Sequence, residues 1–410
     1  MKSVRLIFRY AIILFVFAKF LTSCKKDNSS SDYSYLVSKE FIISYNTGYI
    51  TDLLNIAAGT YSGINVLKPY VSSDVNIYKV IYRTTINNEK INASGLICVP
   101  STSGEYPILC FQNGINTVHA YAPTEYVLNP PYQMIEIVAS MGYIVVIPDY
   151  PGFGESVQVS HPYLITEPTV TSITDMLYAV KELGGNELPG ITLRNEYYLL
   201  GYSQGGWATL TLHKALELDY PDDFLLKGSA CGAGPYNLNI LLQGMINISS
   251  YPMPVYIGYL INAYKAYNQF SNPVSDIIAE PYSSRLSSLF SGTLTSSQIN
   301  DQLTTSIPDL FTEEFLSGFT SESKYAPVRE ALTSNSVAAW NTAIPLFFVH
   351  GANDSYVNPV ITENMYDAMI QAGTSSQTCK KEIVPDLDHG KGVLPCMVRN
   401  LIFLMNLSNP

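Results

Sequence analysis

Charge is scarce in this chain. Asp, Glu, Lys and Arg make up only 14% of 410 residues, and the 34 acidic side chains outnumber the 23 basic ones, for a formal net charge of -11. Such a surface repels polyanions, and no stretch gathers Lys and Arg into a patch, so nucleic acid is excluded as a partner. Histidine is scarcer still, with five, at positions 119, 161, 213, 350 and 389. No two of these, and no two of the six cysteines, stand at metal-ligand spacing, so neither a metal nor another cofactor is implied. Beyond the N-terminal segment no apolar run approaches the ~18 residues that a membrane-crossing helix needs. Internal repeats are lacking, and low complexity is confined to a serine-rich stretch near residue 30.

Apolar residues are plentiful, at 47%, enough for a large core without help from disulfides or metals. The first residues have a targeting pattern instead: Lys2, Arg5 and Arg9, then the short apolar run "AIILFVFA", then "LTSC". Leu21-Thr22-Ser23-Cys24 resembles the lipobox of bacterial lipoproteins, although Lys19 interrupts the apolar run. That resemblance implies cleavage before Cys24, acylation of its thiol, and export to the bacterial cell envelope with attachment by lipid alone. Residues 1–23 are thus expected to be a signal peptide, and the polar run "KKDNSSSDYS" opens a tether over 24–40.

In the body, "VNIYKVIYRTTI" and "KINASGLICVP" alternate as antiparallel strands do, with a turn at "NNEK". Shorter, nearly continuous apolar runs follow: "PILCF", "GYIVVIPDY", "EYYLLGYS", "LFFVHG" and "KKEIVPD". Between most of them lie amphipathic helical segments, among them "PYQMIEIVASM", "TSITDMLYAVKEL" and "WATLTLHKALEL". Strands buried on both faces and alternating with helices predict an α/β fold with a mostly parallel sheet covered on both sides. Ligands of such sheets sit at the strand C-terminal ends. Residues 236–341 break the alternation with helical patterns alone and are expected to form a cap inserted between two halves of a catalytic domain, 41–235 and 342–410.

The run "EYYLLGYSQGG" breaks from strand into Gly-x-Ser-x-Gly at Ser203 and then into a helix. This is the context of a nucleophile elbow, a tight turn that exposes a serine hydroxyl above the sheet edge. A serine needs a base, and the base an orienting acid. His389, in "EIVPDLDHGKG", follows the last apolar run; it alone among the histidines lies after both Ser203 and Asp354, the acid in "LFFVHGANDSYV". Asp386 and Asp388 are nearer in sequence, but adjacency does not aim a carboxylate at imidazole Nδ1, and Asp354 is preferred. The oxyanion donors are expected to be the backbone N–H of Gln204 and that of Ile115, with Gly114 as the alternative to Ile115. The other histidines are read as structural, Asp149 as a loop-fixing residue, and Cys379 and Cys396, which flank His389, as a candidate disulfide pair.

From "PDYPGFGES", "GYSQGG", "GPYNL", "NSVAAWN" and "HGANDSYV" the chain, over about residues 75–410, resembles the α/β-hydrolase superfamily and, within it, the secretory-lipase-like serine esterases. The resemblance implies that a carboxylic ester is the substrate and that the helical insertion shapes an acyl- or alcohol-binding pocket. Relatives commonly have a histidine before the oxyanion glycine, where this chain has Asn113. The rival readings are a serine peptidase on the same fold and a catalytically silent surface binding lipoprotein.

Overall fold

The computed structural model of the protein describes residues 33–184 and 187–408, so the expected signal peptide and Cys24 lie outside the described residues. One sheet of nine strands runs in the order β1-β2-β3-β5-β4-β6-β7-β8-β9. β2 (Val75–Ile86) and β3 (Glu89–Pro100) pair antiparallel without a register break, from Val75 opposite Pro100 to Ile86 opposite Glu89. Asn87 and Asn88 close this hairpin with φ of 51° and 64°, the left-handed pair that a two-residue turn requires and asparagine tolerates. β1 (Leu36–Tyr45) lies antiparallel against β2 at the edge. It begins inside the segment expected to be a tether over 24–40, which corrects that boundary. β1 escapes a periodicity reading because, as an edge strand, it buries little besides Leu36 and Tyr45.

After β3 the sheet becomes parallel. β4 (Gly104–Gln112), β5 (Ile144–Pro148), β6 (Ile191–Tyr202), β7 (Leu226–Gly232), β8 (Leu346–Gly351) and β9 (Cys379–Val384) each pair parallel with their neighbours, and β5 also meets β3 antiparallel. The segment "LKGSACG" of β7 lacks the bulk of a buried strand, yet it is central in the sheet. Its small residues let helices approach, since a Cβ on Gly228 would stand 2.5 Å from the Leu407 side chain.

Among the helices are α1 (Thr47–Ala58), α2 (Pro130–Glu136), α3 (Thr166–Glu182) and α4 (Gln204–Leu218). Asn46 caps α1, its side chain accepting from Tyr49 N at 2.8 Å. The helix expected over "PYQMIEIVASM" divides, because after α2 the chain tightens to a 3₁₀ turn over Ile137–Met141 that stops at Gly142, with φ 97°. Between β7 and β8 the chain forms helices joined by turns, with two isolated bridges and no sheet strand among the described residues, and α5 (Leu238–Ile246) and α6 (Pro254–Ala266) are among its longer helices. α7 (Val360–Gln371) joins β8 to β9, and α8 (His389–Ser408) ends the described chain, packing Val398, Leu401, Leu404 and Met405 into the main core.

All five cysteines of the described residues are buried and unpaired, so Cys379 and Cys396 are not bridged. Burial pushes both thiols up to about 12, which keeps them protonated at neutral pH. No helix among the described residues is long and apolar enough to cross a membrane.

Candidate active site

Ser203 stands between the end of β6 and the start of α4 with φ 60° and ψ -123°, a conformation that costs a non-glycine residue about 1–3 kcal/mol. The surrounding glycines permit it. A Cβ on Gly205 would stand 2.0 Å from the carbonyl oxygen of Gln112, and one on Gly201 would stand 2.3 Å from that of Gly205. Strand, turn and helix therefore close around the serine more tightly than any side chain would allow. Ser203 N donates to Gly232 O at 2.8 Å, which ties the strained turn to β7.

Asp354 and His389 follow two strand ends whose loops are zipped together. Ala352 N donates to Val384 O at 2.8 Å and Asn353 N to Leu387 O at 2.9 Å, so the loop after β8 lies against the loop after β9. Gly351 lets the backbones meet, for a Cβ there would be 2.4 Å from Leu387 O. Tyr202, the last residue of β6, donates its hydroxyl to His389 O at 2.7 Å and so pins the start of α8 beside the elbow.

These contacts bring three expected residues into one line. His389 Nε2 is 2.8 Å from Ser203 Oγ, and His389 Nδ1 is 2.6 Å from Asp354 Oδ2. Asp354 is buried, which by itself would raise its pKa, but hydrogen bonds from His350 and His389 outweigh burial and hold the carboxyl well below the usual range. Its other oxygen, Oδ1, accepts from Tyr356 N at 2.8 Å and Val357 N at 2.9 Å. A carboxylate so supplied stays ionised, and it fixes the imidazole with Nδ1–H toward the acid and Nε2 toward the serine. Asp388 turns elsewhere, accepting from Lys391 N at 2.8 Å, and Asp386 is exposed.

His350 takes a place that sequence reading did not give it. Its Nε2 is 3.0 Å from Asp354 Oδ2, and its Nδ1 is 2.7 Å from Thr362 Oγ1 on α7. Asp354 Oδ2 is thus shared by two imidazoles. The available signal was the i, i+4 spacing of His350 and Asp354 in "HGAND", easily passed over because His350 ends a strand that is buried throughout.

Gln204 opens α4, where the first backbone N–H groups of a helix have no partner within it, and its N–H therefore remains available beside the Ser203 hydroxyl. Its side chain is held from behind, Nε2 lying 2.8 Å from His161 Nε2. Burial lowers His161 to about 4, so the neutral ring accepts from the amide and donates through Nδ1 to Pro151 O at 3.0 Å. Gly114 and Ile115 border the cavity that also contains Ser203 and His389. Asn113 is buried and donates its side-chain amide to Pro148 O, while the Tyr150 hydroxyl donates to Asn113 O at 3.3 Å. Asp149 keeps to a structural task, accepting from Ser94 Oγ at 2.5 Å and from Thr124 N at 3.0 Å.

Ser203 faces two unequal spaces. One, of about 710 Å³, is apolar and bordered by α1, the 3₁₀ segment Ser62–Tyr70, α2 and α8. The other, of about 20 Å³, lies under α5 and α6. The helices between β7 and β8 therefore wall the narrow space, and only Tyr256 among their residues reaches the wide one.

The sheet order and the elbow define an α/β-hydrolase fold. Residues 128–393 match the family profile described as secretory lipase, and the chain belongs to that family, whose members are carboxylic ester hydrolases. Similar solved structures include a provisionally assigned hydrolase from Legionella pneumophila, at 24% identity and TM-score 0.82 over 92% of this chain and 98% of that one. The rice cell wall degrading esterase LipA from Xanthomonas oryzae is 23% identical, with TM-score 0.74 over 91% and 95%. Candida antarctica lipase A in its closed state is 14% identical, with TM-score 0.65 over 91% and 81%. Among curated proteins there is no match.

Proposed function

We propose that the chain cleaves carboxylic esters through a Ser203-His389-Asp354 triad and an acyl-enzyme. The observation that carries this reading is the unbroken line from Ser203 Oγ through His389 to Asp354, at 2.8 and 2.6 Å. His389 Nε2 takes the hydroxyl proton as Ser203 Oγ bonds to the ester carbonyl carbon, and the carbonyl electron pair moves onto oxygen. The backbone N–H groups of Gln204 and of Ile115, or Gly114 in its place, receive that oxyanion. Collapse breaks the bond to the leaving oxygen, which takes the proton from His389 and departs as alcohol. Water then gives a proton to His389 and attacks the acyl-enzyme; the second collapse returns that proton to Ser203 Oγ and releases the acid.

Ser203→Ala should abolish labelling by a fluorophosphonate probe and lower ester turnover by about 10⁴-fold or more. Wild-type protein that the probe does not label would favour a surface binding protein, and preferential turnover of peptidyl amides would favour a peptidase. Export is consistent with the secretory lipase family. We assign attachment to a lipid on Cys24, and the helices over 236–341 to a cap on one side of the serine. Palmitate label on wild type should vanish in Cys24→Ser; label that persists rules the anchor out.

A further inference from the structure

We infer that Ser203 handles esters with the short group on the acyl side and the long apolar group on the alcohol side, so that the preferred substrates are acetate-like esters of large apolar alcohols. The inference rests on the triad reading above and adds the orientation of the substrate within the site.

Four groups surround the carbon that Ser203 attacks. One is the serine oxygen itself, and a second, the oxyanion, must face the backbone N–H groups of Gln204 and Ile115 or Gly114. The leaving oxygen must lie within hydrogen-bond reach of His389 Nε2, since it departs with the proton held there. The acyl carbon takes the direction that remains. Gly114, Ile115 and His389 all border the wide cavity of about 710 Å³, and none of the three borders the narrow space of about 20 Å³, which Ser203 does reach. The direction left for the acyl group is therefore the narrow one. The wide cavity, within the ~300–1,000 Å³ usual for ligand sites, receives the alcohol.

The narrow space is built to stay narrow. Leu164, one of its walls, has φ 56°, a genuine outlier for a bulky side chain. Leu164 is held there by a hydrogen bond to its carbonyl from the Tyr264 hydroxyl of α6, at 3.0 Å. Leu242, Tyr251 and Ile257, on the insertion side, are each about 1% exposed, and the Tyr251 hydroxyl is anchored on Tyr356 O at 3.0 Å. The wide cavity has the opposite character. Ile56 at its border is 74% exposed, and the half-buried Leu394 and Met397 of α8 line an open apolar trough.

Isomeric esters test the assignment at constant size and composition. Octyl acetate and methyl nonanoate share one formula and differ only in which side is long. Wild-type kcat/KM should favour octyl acetate by at least about tenfold, and across the alkyl acetates it should rise about three- to fourfold per methylene until the cavity is filled. Leu164→Gly removes the wall and suits the positive φ; it should raise the octyl hexanoate to octyl acetate ratio about tenfold. Met245→Ala, on the α5 wall of the same narrow space, should act in the same direction should the first variant misfold. Met397→Trp should depress octyl acetate about tenfold against ethyl acetate. A wild type that turns over p-nitrophenyl acetate yet prefers methyl nonanoate overturns the orientation and leaves the triad standing, as do ratios that none of the variants move. Protein that turns over none of these esters and takes no fluorophosphonate label overturns the triad and the orientation together.

Discussion

Two buried carboxyls, one at the strand ends and one beneath the N-terminal helices, meet opposite fates. Asp354 receives two backbone N–H groups on one oxygen and two imidazoles on the other, and it is held ionised. Glu136, at the end of α2, accepts from the Tyr45 hydroxyl at 3.0 Å on Oε2, while Oε1 has no partner among the described residues. Burial pushes its pKa up to about 8, and the single bond from Tyr45 offsets only part of that. Burial depth does not separate the two sites; the number of donors does. A carboxyl surrounded by donors becomes a fixed charge, and one with a single donor stays neutral inside a wall.

The contrast can be broken in order of effect. Asp354→Asn keeps the shape and removes the charge. It should lower kcat by about 10³- to 10⁴-fold with KM little changed, measured by steady-state ester hydrolysis, and a loss under tenfold would separate the carboxylate from the chemistry. Gly205→Ala tests the elbow that makes such a charge useful. With the Cβ 2.0 Å from Gln112 O it should cost about 1–3 kcal/mol or more, seen as a lowered Tm together with lost probe labelling. His350→Phe removes one donor from Asp354 Oδ2, and a charge-assisted bond of that kind is worth about ten- to a hundredfold in kcat. The loss should fall on kcat with KM little changed, in steady-state ester hydrolysis. A lowered Tm with kcat retained would make His350 a structural residue only.

Glu136→Gln is the smallest test and concerns stability alone. A carboxyl raised to about 8 in the folded state keeps its proton where the unfolded chain has lost it. Its contribution therefore turns against folding as pH rises from about 4.3 toward 8. The variant should gain Tm relative to wild type at pH 8 and show little difference at pH 4, in melts followed by circular dichroism. Equal shifts at both pH values would show that Glu136 is not protonated in the fold.

Legibility in the sequence followed how locally each feature is specified. The Gly-x-Ser-x-Gly run could be read because the elbow needs glycines where an added Cβ would stand only 2.0–2.3 Å from a facing carbonyl oxygen, and no other residue fits. Asp354 and His389 could be read from chain order and from their places after apolar runs. β7 was harder, since its small residues answer to helices packed on both faces, and β1 because an edge strand buries too little to show a period. The pairing of His350 with Asp354 depends on a loop conformation that a spacing of four does not require. The cavity walls were the least visible, because α1 and the segment over 62–70 precede Ser203 by more than 130 residues and meet α8 only through the folded core.

The sequence by itself determined the strand-helix alternation, the strained serine and the order in which Asp354 and His389 follow it, because these follow from residue size, apolar period and order along the chain. Only the tertiary structure decided which side of Ser203 is wide and which narrow, and which imidazoles share Asp354. Those outcomes depend on distances between segments far apart in the chain, which local preferences do not encode and close packing of the whole core does.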